Sequence, residues 1–179
     1  MKKHIKTTLA LLFVAGTFTF CAKEEDKAAT TTTTTTSTTG TPAGNSITID
    51  GTTINLSVIN CTNQLRPTIS NFDSVTVITG SASIGNDITQ VEAVIFSSNA
   101  AQGNYSSVED DLFMGAGKCR VTIIRSGSVD EQLNMKAAQQ VVLRVTGTSR
   151  KIEIGSKIFN IIGSSTSGTR TVSTNYGCD

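Results

Sequence analysis

The sequence predicts an all-β fold for residues 47–179: an antiparallel β-barrel or β-sandwich of about 8–10 strands, with room for one short helix, after a disordered Thr-rich linker. These residues contain 16 Ile and 12 Val against 5 Leu, and β-branched side chains favour pleated strands over helices. Gly, Asn, Asp and Ser recur every eight to twelve residues, which is the turn spacing of a sandwich or barrel. Several segments also alternate apolar and polar residues, as strands with one buried face do.

Composition excludes several classes of function. The net charge is +1, with 15 Lys and Arg against 14 Asp and Glu, so we expect no nucleic-acid partner. The single histidine, His4, lies in a segment that we expect to be removed. A mature chain without imidazole cannot use Ser-His-Asp or Cys-His catalysis or bind zinc through His, and we expect no metal and no cofactor.

Residues 1–20 have the features of a secretory signal peptide. Three lysines within the first six residues form a basic segment, and an apolar run of twelve residues, Leu9–Phe20, ends directly before Cys21. A transmembrane helix needs about 20 apolar residues, so the run is too short to span a bilayer. A cysteine at this place resembles the lipobox of bacterial lipoproteins, although Phe20 stands where that family usually has Gly, Ala or Ser. The resemblance implies cleavage before Cys21, lipidation of its thiol and a membrane as partner.

The charged residues after Cys21 indicate where in the cell the protein is located. Lys23, Glu24 and Glu25, followed by Asp26, resemble the export signal of Bacteroidetes-type surface-exposed lipoproteins. The resemblance implies display on the outer membrane at the cell surface. The alternatives are the periplasmic face of that membrane as the location, and a solvated charge cluster as the role of these residues.

Residues 21–46 form the predicted linker. Seven consecutive threonines, Thr30–Thr36, stand in a segment that contains no aliphatic residue larger than Ala. Such a segment cannot bury a core, so we expect it to be disordered and to hold the β-domain away from the lipid headgroups. Dense Thr with a proline also resembles O-glycosylated stalks.

The β-domain begins with a predicted hairpin. Asp50-Gly51 suits the two positive-φ positions of a two-residue turn, and it would pair Ile49 with Thr52 and Ile47 with Ile54. This register puts the apolar residues of the segment on one face. They are Ile47, Ile49, Ile54, Leu56 and Val58.

Eight more strands are predicted between turn residues: Ser74–Ser81, Thr89–Ser97, Asn104–Val108, Lys118–Arg125, Gln140–Thr146, Lys151–Gly155, Lys157–Ile162 and Thr169–Thr174. Alternation in three of them predicts an inner face of Val91, Ala93, Ile95, Cys119, Val121, Ile123, Val141, Leu143 and Val145. The residues between them are predicted to face water: Gln90, Glu92, Arg120, Thr122, Gln140 and Arg144.

One segment departs from the period of two. Ser128 and Glu131 have the spacing of a helix capping box, and Leu133, Lys136 and Ala137 continue at helical intervals. This pattern predicts a short helix over Val129–Ala138, with a polar crossover loop as the alternative.

Three cysteines remain once Cys21 is assigned to the lipid. In an oxidising exterior, Cys61, Cys119 and Cys178 allow one disulfide and leave one thiol. Cys119 shares a predicted inner face with Val121, whereas Cys61 and Cys178 lie in polar turn sequences. Of the three pairings, we therefore favour Cys61–Cys178.

Two further motifs carry candidate chemistry. Glu109, Asp110 and Asp111 form the only dense acidic cluster of residues 47–179, and paired carboxylates can hydrolyse glycosides or bind Ca²⁺. Neighbouring acids on an extended chain point to opposite faces, so a solvated turn is the competing interpretation. Ser74, between Asp73 and Val75, resembles the O-glycosylation site of secreted Bacteroidetes proteins.

Two classes of function follow from these features. The interpretation that we favour is a non-enzymatic, surface-displayed lipoprotein whose β-domain has a structural role or binds a carbohydrate, a protein or a small apolar ligand. The alternative is a carboxylate-dependent hydrolase of extracellular glycans, which requires Glu109 or Asp111 to meet another acid in a cleft. The order of short strands after the linker resembles calycin-like or sandwich domains of lipoproteins, a likeness of fold that carries no activity.

Overall fold

The computed structural model describes residues 44–65, 74–97, 99–163 and 167–179. The predictions for the signal peptide, Cys21, the export residues Lys23, Glu24 and Glu25, and the linker up to residue 43 lie outside these ranges. The described residues form eleven strands and one 3₁₀ turn, Asp111–Phe113. The strands are β1 Ser46–Ile49, β2 Thr52–Asn55, β3 Val58–Leu65, β4 Ser74–Ile84, β5 Asp87–Ile95, β6 Gly103–Ser107, β7 Lys118–Ser126, β8 Glu131–Met135, β9 Gln140–Thr146, β10 Ser149–Ile162 and β11 Thr169–Cys178.

All eleven strands belong to one sheet. Their order is β2-β1-β11-β10-β9-β6-β7-β5-β4-β3, and β8 pairs with both β10 and β7. The all-β prediction is confirmed, and the arrangement is compatible with a sandwich or a barrel. There are more strands than the predicted number, and the sheet is mixed because β6 runs parallel to β7.

Long β10 explains how β8 joins the sheet. The first half of β10 pairs with β9, and its second half, from Phe159, pairs with β8. The sequence predicts two strands here, Lys151–Gly155 and Lys157–Ile162, whereas the structure has one strand whose register shifts between Ile154 and Lys157. The irregularity lies in the pairing of β10 with β11, which continues on both sides of it.

The larger of two hydrophobic clusters lies on the inner face of the strands, and a smaller one contains Val75, Val77 and Val94. The predicted inward residues of β5, β7 and β9 are buried, except that Val145 is half-buried and packs against the core. Tyr176 of β11 is fully buried, and its hydroxyl donates to the Ile78 carbonyl oxygen at 3.1 Å. A Cβ at Gly80 would lie 3.2 Å from Cδ2 of Tyr176, so a glycine in β4 makes room for the ring.

The predicted hairpin is confirmed in turn and register. Asp50 and Gly51 have φ of 47° and 86°, and Ile47 and Ile49 pair with Ile54 and Thr52. The prediction that Val58 faces the core with them is wrong, because the chain changes partner after β2. The Ser57 N–H donates to the Ser81 carbonyl oxygen, and β3 then pairs with β4, which turns Val58 outward.

The predicted helix over Val129–Ala138 is wrong, since β8 occupies its centre. Leu133 and Met135 are fully buried on one face of β8, and pairing with β7 and β10 satisfies its backbone. Ser128, the predicted cap residue, stabilises a turn instead, and Glu131 is the first residue of β8. The Ser128 N–H and hydroxyl donate to the Asp87 carboxylate, and the Gly127 N–H donates to the Asp130 carboxylate.

Candidate functional site on the outer face of the sheet

A groove of about 320 Å³ crosses the outer face of β3, β4, β5 and β7. Side chains alternate along each strand, so the residues that point away from the core meet here. Gly80 of β4 and Val91 of β5 belong to the lining, and each strand also contributes two outward-facing side chains. These are Val58 and Asn60, Thr79 and Ser81, Gln90 and Glu92, and Thr122 and Ile124.

Strand register aligns the polar side chains of the groove in one row. Asn60 pairs with Thr79, Thr79 with Glu92, and Glu92 with Thr122. Beyond the groove the same row continues through Asn134 of β8 to Asn160 of β10. Strands lie about 4.8 Å apart, so the row is roughly 14 Å long within the groove and roughly 24 Å long in total.

A second row of paired residues flanks the first. Val58 pairs with Ser81, Ser81 with Gln90, and Gln90 with Ile124. The two apolar residues stand at the ends of this row and are 53% and 46% exposed. The groove therefore has a polar floor and apolar side chains at two of its corners.

An arginine fixes the carboxylate at the centre of the groove. Arg120 of β7 donates from Nη2 to Oε1 of Glu92 at 3.3 Å. The same guanidinium forms an ion pair with Asp111, in which Nε lies 3.2 Å from Oδ1. The negative charge in the groove is thus balanced by a neighbouring positive charge.

Thr122 is the most buried polar residue of the groove. It is 8% exposed, and within the described part of the chain its Oγ1 atom is buried and has no hydrogen-bond partner. A buried hydroxyl without a partner costs about 1–3 kcal/mol. A ligand that brings a hydrogen-bonding group to this hydroxyl would remove that cost.

The structure separates the three acids of the predicted acidic cluster. Glu109 accepts hydrogen bonds at Oε1 from the Ala137 N–H and from Nδ2 of Asn160. Asp110 accepts from the Leu112 N–H and caps the 3₁₀ turn. Asp111 is buried against Arg120, whose guanidinium lies between it and Glu92. Nowhere in the described ranges do three or more His, Cys, Asp or Glu residues form a group that could hold a metal ion.

The cysteines lie away from the groove floor. Cys61 of β3 and Cys178 of β11 are joined in a disulfide with their Cα atoms 6.1 Å apart, and this is the pair that the sequence favours. Cys119 is a buried free thiol, and burial raises its pKa to about 12. Ser74, the predicted glycosylation site, is the first residue of β4, where it is half-buried and pairs with Leu65.

The alternation of apolar and polar residues predicts that Gln90, Glu92 and Thr122 face water, but it does not predict that they line one groove. Thr122 lies on the predicted face and is buried there. The signal that could have joined them is the equal spacing of polar residues on consecutive strands. Using that signal requires the register between β5 and β7, in which Ile95 pairs with Cys119, a residue 24 positions further along the chain.

No protein family, curated protein or solved structure matches this chain. Over the described residues, no helix has both the length and the apolar character needed to cross a membrane.

Proposed function

We propose that the protein is a lipid-anchored, surface-displayed binding protein whose β-domain holds its ligand in the outer groove. The observation that carries the binding role is the buried Thr122 hydroxyl, which lies beside Glu92 in a row of polar side chains shared by four strands. A surface with only a structural role would gain stability by replacing this hydroxyl with a methyl group.

The placement of the acids favours binding over glycan hydrolysis. Hydrolysis by two carboxylates requires a space between them that admits the scissile bond and, in inverting enzymes, a water molecule. The Arg120 guanidinium fills the space between Glu92 and Asp111. Glu109 and Asp110 are engaged by backbone and side-chain donors.

The anchor and the surface location are supported by the sequence around Cys21. A basic start, a short apolar run and a terminal cysteine together indicate lipidation, and a lipidated cysteine carrying two or more acyl chains anchors a protein stably. Lys23, Glu24 and Glu25 support export to the cell surface. The Thr-rich linker would then give the groove access to ligands outside the cell.

Two variants test the anchor and the location. Cys21→Ala should move the protein from the membrane fraction to the soluble fraction, and sedimentation with membranes would contradict lipidation.

Replacement of Lys23, Glu24 and Glu25 by Ala should keep the protein in the membrane fraction but protect it from protease added to intact cells. Unchanged cleavage on intact cells would contradict the export role.

A further inference from the structure

We infer that the outer groove binds a neutral, hydroxyl-rich glycan chain, an inference that rests on the proposed binding function. The hydrogen-bonding groups that line the groove suit such a ligand. Hydroxyl and amide groups both donate and accept, which is what sugar hydroxyls require of their partners. The groove supplies such groups from Asn60, Thr79, Ser81, Gln90 and Thr122.

Charge supports a neutral ligand. The carboxylate in the groove lining is that of Glu92, and Arg120 already donates to it. An anionic ligand would meet this carboxylate at the centre of the row, and a cationic ligand would have to compete with a guanidinium held at 3.3 Å. A neutral polar ligand avoids both costs, because it can bond to the side chains without displacing the ion pair.

Shape supports a chain rather than a single small molecule. The groove spans four strands, so its polar row is roughly 14 Å long, and beyond it the Asn134 and Asn160 amides already donate to Glu109. Its side chains recur at the strand spacing of about 4.8 Å, which is comparable with the advance per residue of an extended pyranose chain. Val58 and Ile124 offer apolar contact to the C–H faces of sugar rings.

A peptide that binds by adding a strand fits this surface less well. The backbones of β4, β5 and β7 are paired on both sides, so they have no free edge within the groove. Strand addition needs such an edge. Among the strands that line the groove, β3 alone ends the strand order, so an added strand would lie beside the groove and not across it. A ligand that crosses β4, β5 and β7 must be recognised through side chains, and these side chains suit hydroxyl groups.

The test measures binding by the purified full-length chain in detergent with isothermal titration calorimetry. The probes are neutral hexasaccharides (maltohexaose, cellohexaose and xylohexaose), hexagalacturonate as the anionic counterpart, and a Ser-rich decapeptide. We expect at least one neutral hexasaccharide to bind. Thr122→Val should weaken that binding about five- to tenfold, the effect of one lost hydrogen bond, without lowering the melting temperature. Asn60→Ala should weaken it similarly.

The matched control is Thr146→Val, the same substitution at an exposed position of β9, a strand that does not line the groove. It should leave the affinity unchanged. Equal affinities of the wild type and Thr122→Val would overturn the inference, as would binding of hexagalacturonate alone. Binding of the peptide alone, weakened by Thr122→Val, would overturn the glycan class and leave the binding function standing. Binding of no probe up to millimolar concentration would contradict both.

Discussion

Gly177 allows β11 to lie closer to β10 than a residue with a side chain would. A Cβ at this position of β11 would collide with the Arg150 carbonyl of β10, and backbone atoms cannot move aside as a flexible side chain can. Gly155 of β10 has no atom within 4 Å of the place that a Cβ would take. The neighbouring backbone therefore excludes a side chain at position 177, whereas there is space for one at position 155.

We predict that Gly177→Ala destabilises the protein by about 2–3 kcal/mol, because the strands must separate to admit the methyl group. Gly155→Ala is the control and should change the free energy of unfolding by less than about 0.5 kcal/mol. Urea unfolding followed by circular dichroism measures both values. Equal effects of the two substitutions would contradict the proposed backbone collision.

The buried Cys119 thiol makes stability depend on alkaline pH. Burial raises its pKa from 9.0 to about 12, so the folded chain keeps a proton that the unfolded chain releases. The contribution of this group is fully present below pH 9 and is lost as the pH rises toward 12. Burial also raises the pKa of Tyr176 and adds to the loss at high pH.

We predict that the free energy of unfolding falls as the pH is raised from 9 to 12 and falls less steeply in Cys119→Val. Denaturant titrations at several pH values measure the slope. The native thiol should also resist iodoacetamide at pH 8 and react after unfolding, as mass spectrometry can show. Labelling of native Cys119 at the unfolded rate would contradict its burial.

At the scale of elements, a buried ion-pair network connects strands that are distant in sequence. Glu131 of β8, whose side chain is 4% exposed, pairs with Arg125 of β7 and with Arg170 of β11. Arg170 also bonds to Asp50 in the β1–β2 turn, and these carboxylates raise the pKa of its guanidinium. The network holds the β1–β2 turn, β7, β8 and β11 together.

We predict that Glu131→Ala costs about 2–3 kcal/mol, because it leaves two guanidinium groups without their buried partner while both retain some contact with water. Arg144→Ala, which breaks the exposed pair between Arg144 and Glu153, should cost no more than about 1 kcal/mol. Urea unfolding of both variants measures the contrast. A smaller loss in Glu131→Ala than in Arg144→Ala would contradict the structural role of the network.

The Cys61–Cys178 disulfide links β3, at one end of the strand order, to β11. It joins residues 117 apart in sequence, and closing so long a loop stabilises a fold by roughly 4–5 kcal/mol in the chain-entropy model. We therefore predict that a Cys61→Ala, Cys178→Ala double variant melts well below the wild type. Reductant should lower the melting temperature of the wild type and leave that of the double variant unchanged. A wild-type melt insensitive to reductant would contradict the bond.

Local sequence patterns predicted most of the strands. The predictions that failed concern residues whose structure depends on pairing with distant strands. The β1–β2 hairpin follows from Asp50-Gly51 and the alternation beside it, so the sequence contains its whole explanation. The segment of β8 has a helical pattern, but its strand structure depends on β7 and β10, whose pairing satisfies its backbone. Val58 was assigned to the wrong face for the same reason, since its orientation is set by β4.

At the scale of the whole molecule, the candidate site is a product of register. Asn60, Glu92 and Asn160 belong to strands far apart in the chain, and only the pairing of six strands places them in one row. A single sequence gives the outward orientation of such residues but not their alignment. The two partners of the disulfide were easier to predict, because only three cysteines were candidates and one of them, Cys119, lies among apolar residues.

The described domain begins earlier than the predicted boundary at Ile47, and this affects how it should be isolated. The Asn45 carbonyl oxygen accepts from the Leu56 N–H at 2.8 Å, and its Oδ1 accepts from the Gly177 N–H at 3.1 Å. The Ser46 carbonyl oxygen accepts from the Thr174 hydroxyl at 2.7 Å. A fragment that starts at residue 47 loses all three bonds.

We predict that a fragment of residues 44–179 folds alone, since about 130 residues are enough to bury roughly two-thirds of their unfolded surface. It should show a strand-dominated circular dichroism spectrum and a cooperative melt that chelators do not change. A fragment of residues 47–179 should fold to the same spectrum but be less stable by about 1–3 kcal/mol, because its first strand has lost the hydrogen bonds of Asn45 and Ser46. A helical spectrum would contradict the fold, a melt abolished by chelator would reveal a structural metal, and equal stability of the two fragments would show that residues 44–46 do not hold β1 in place.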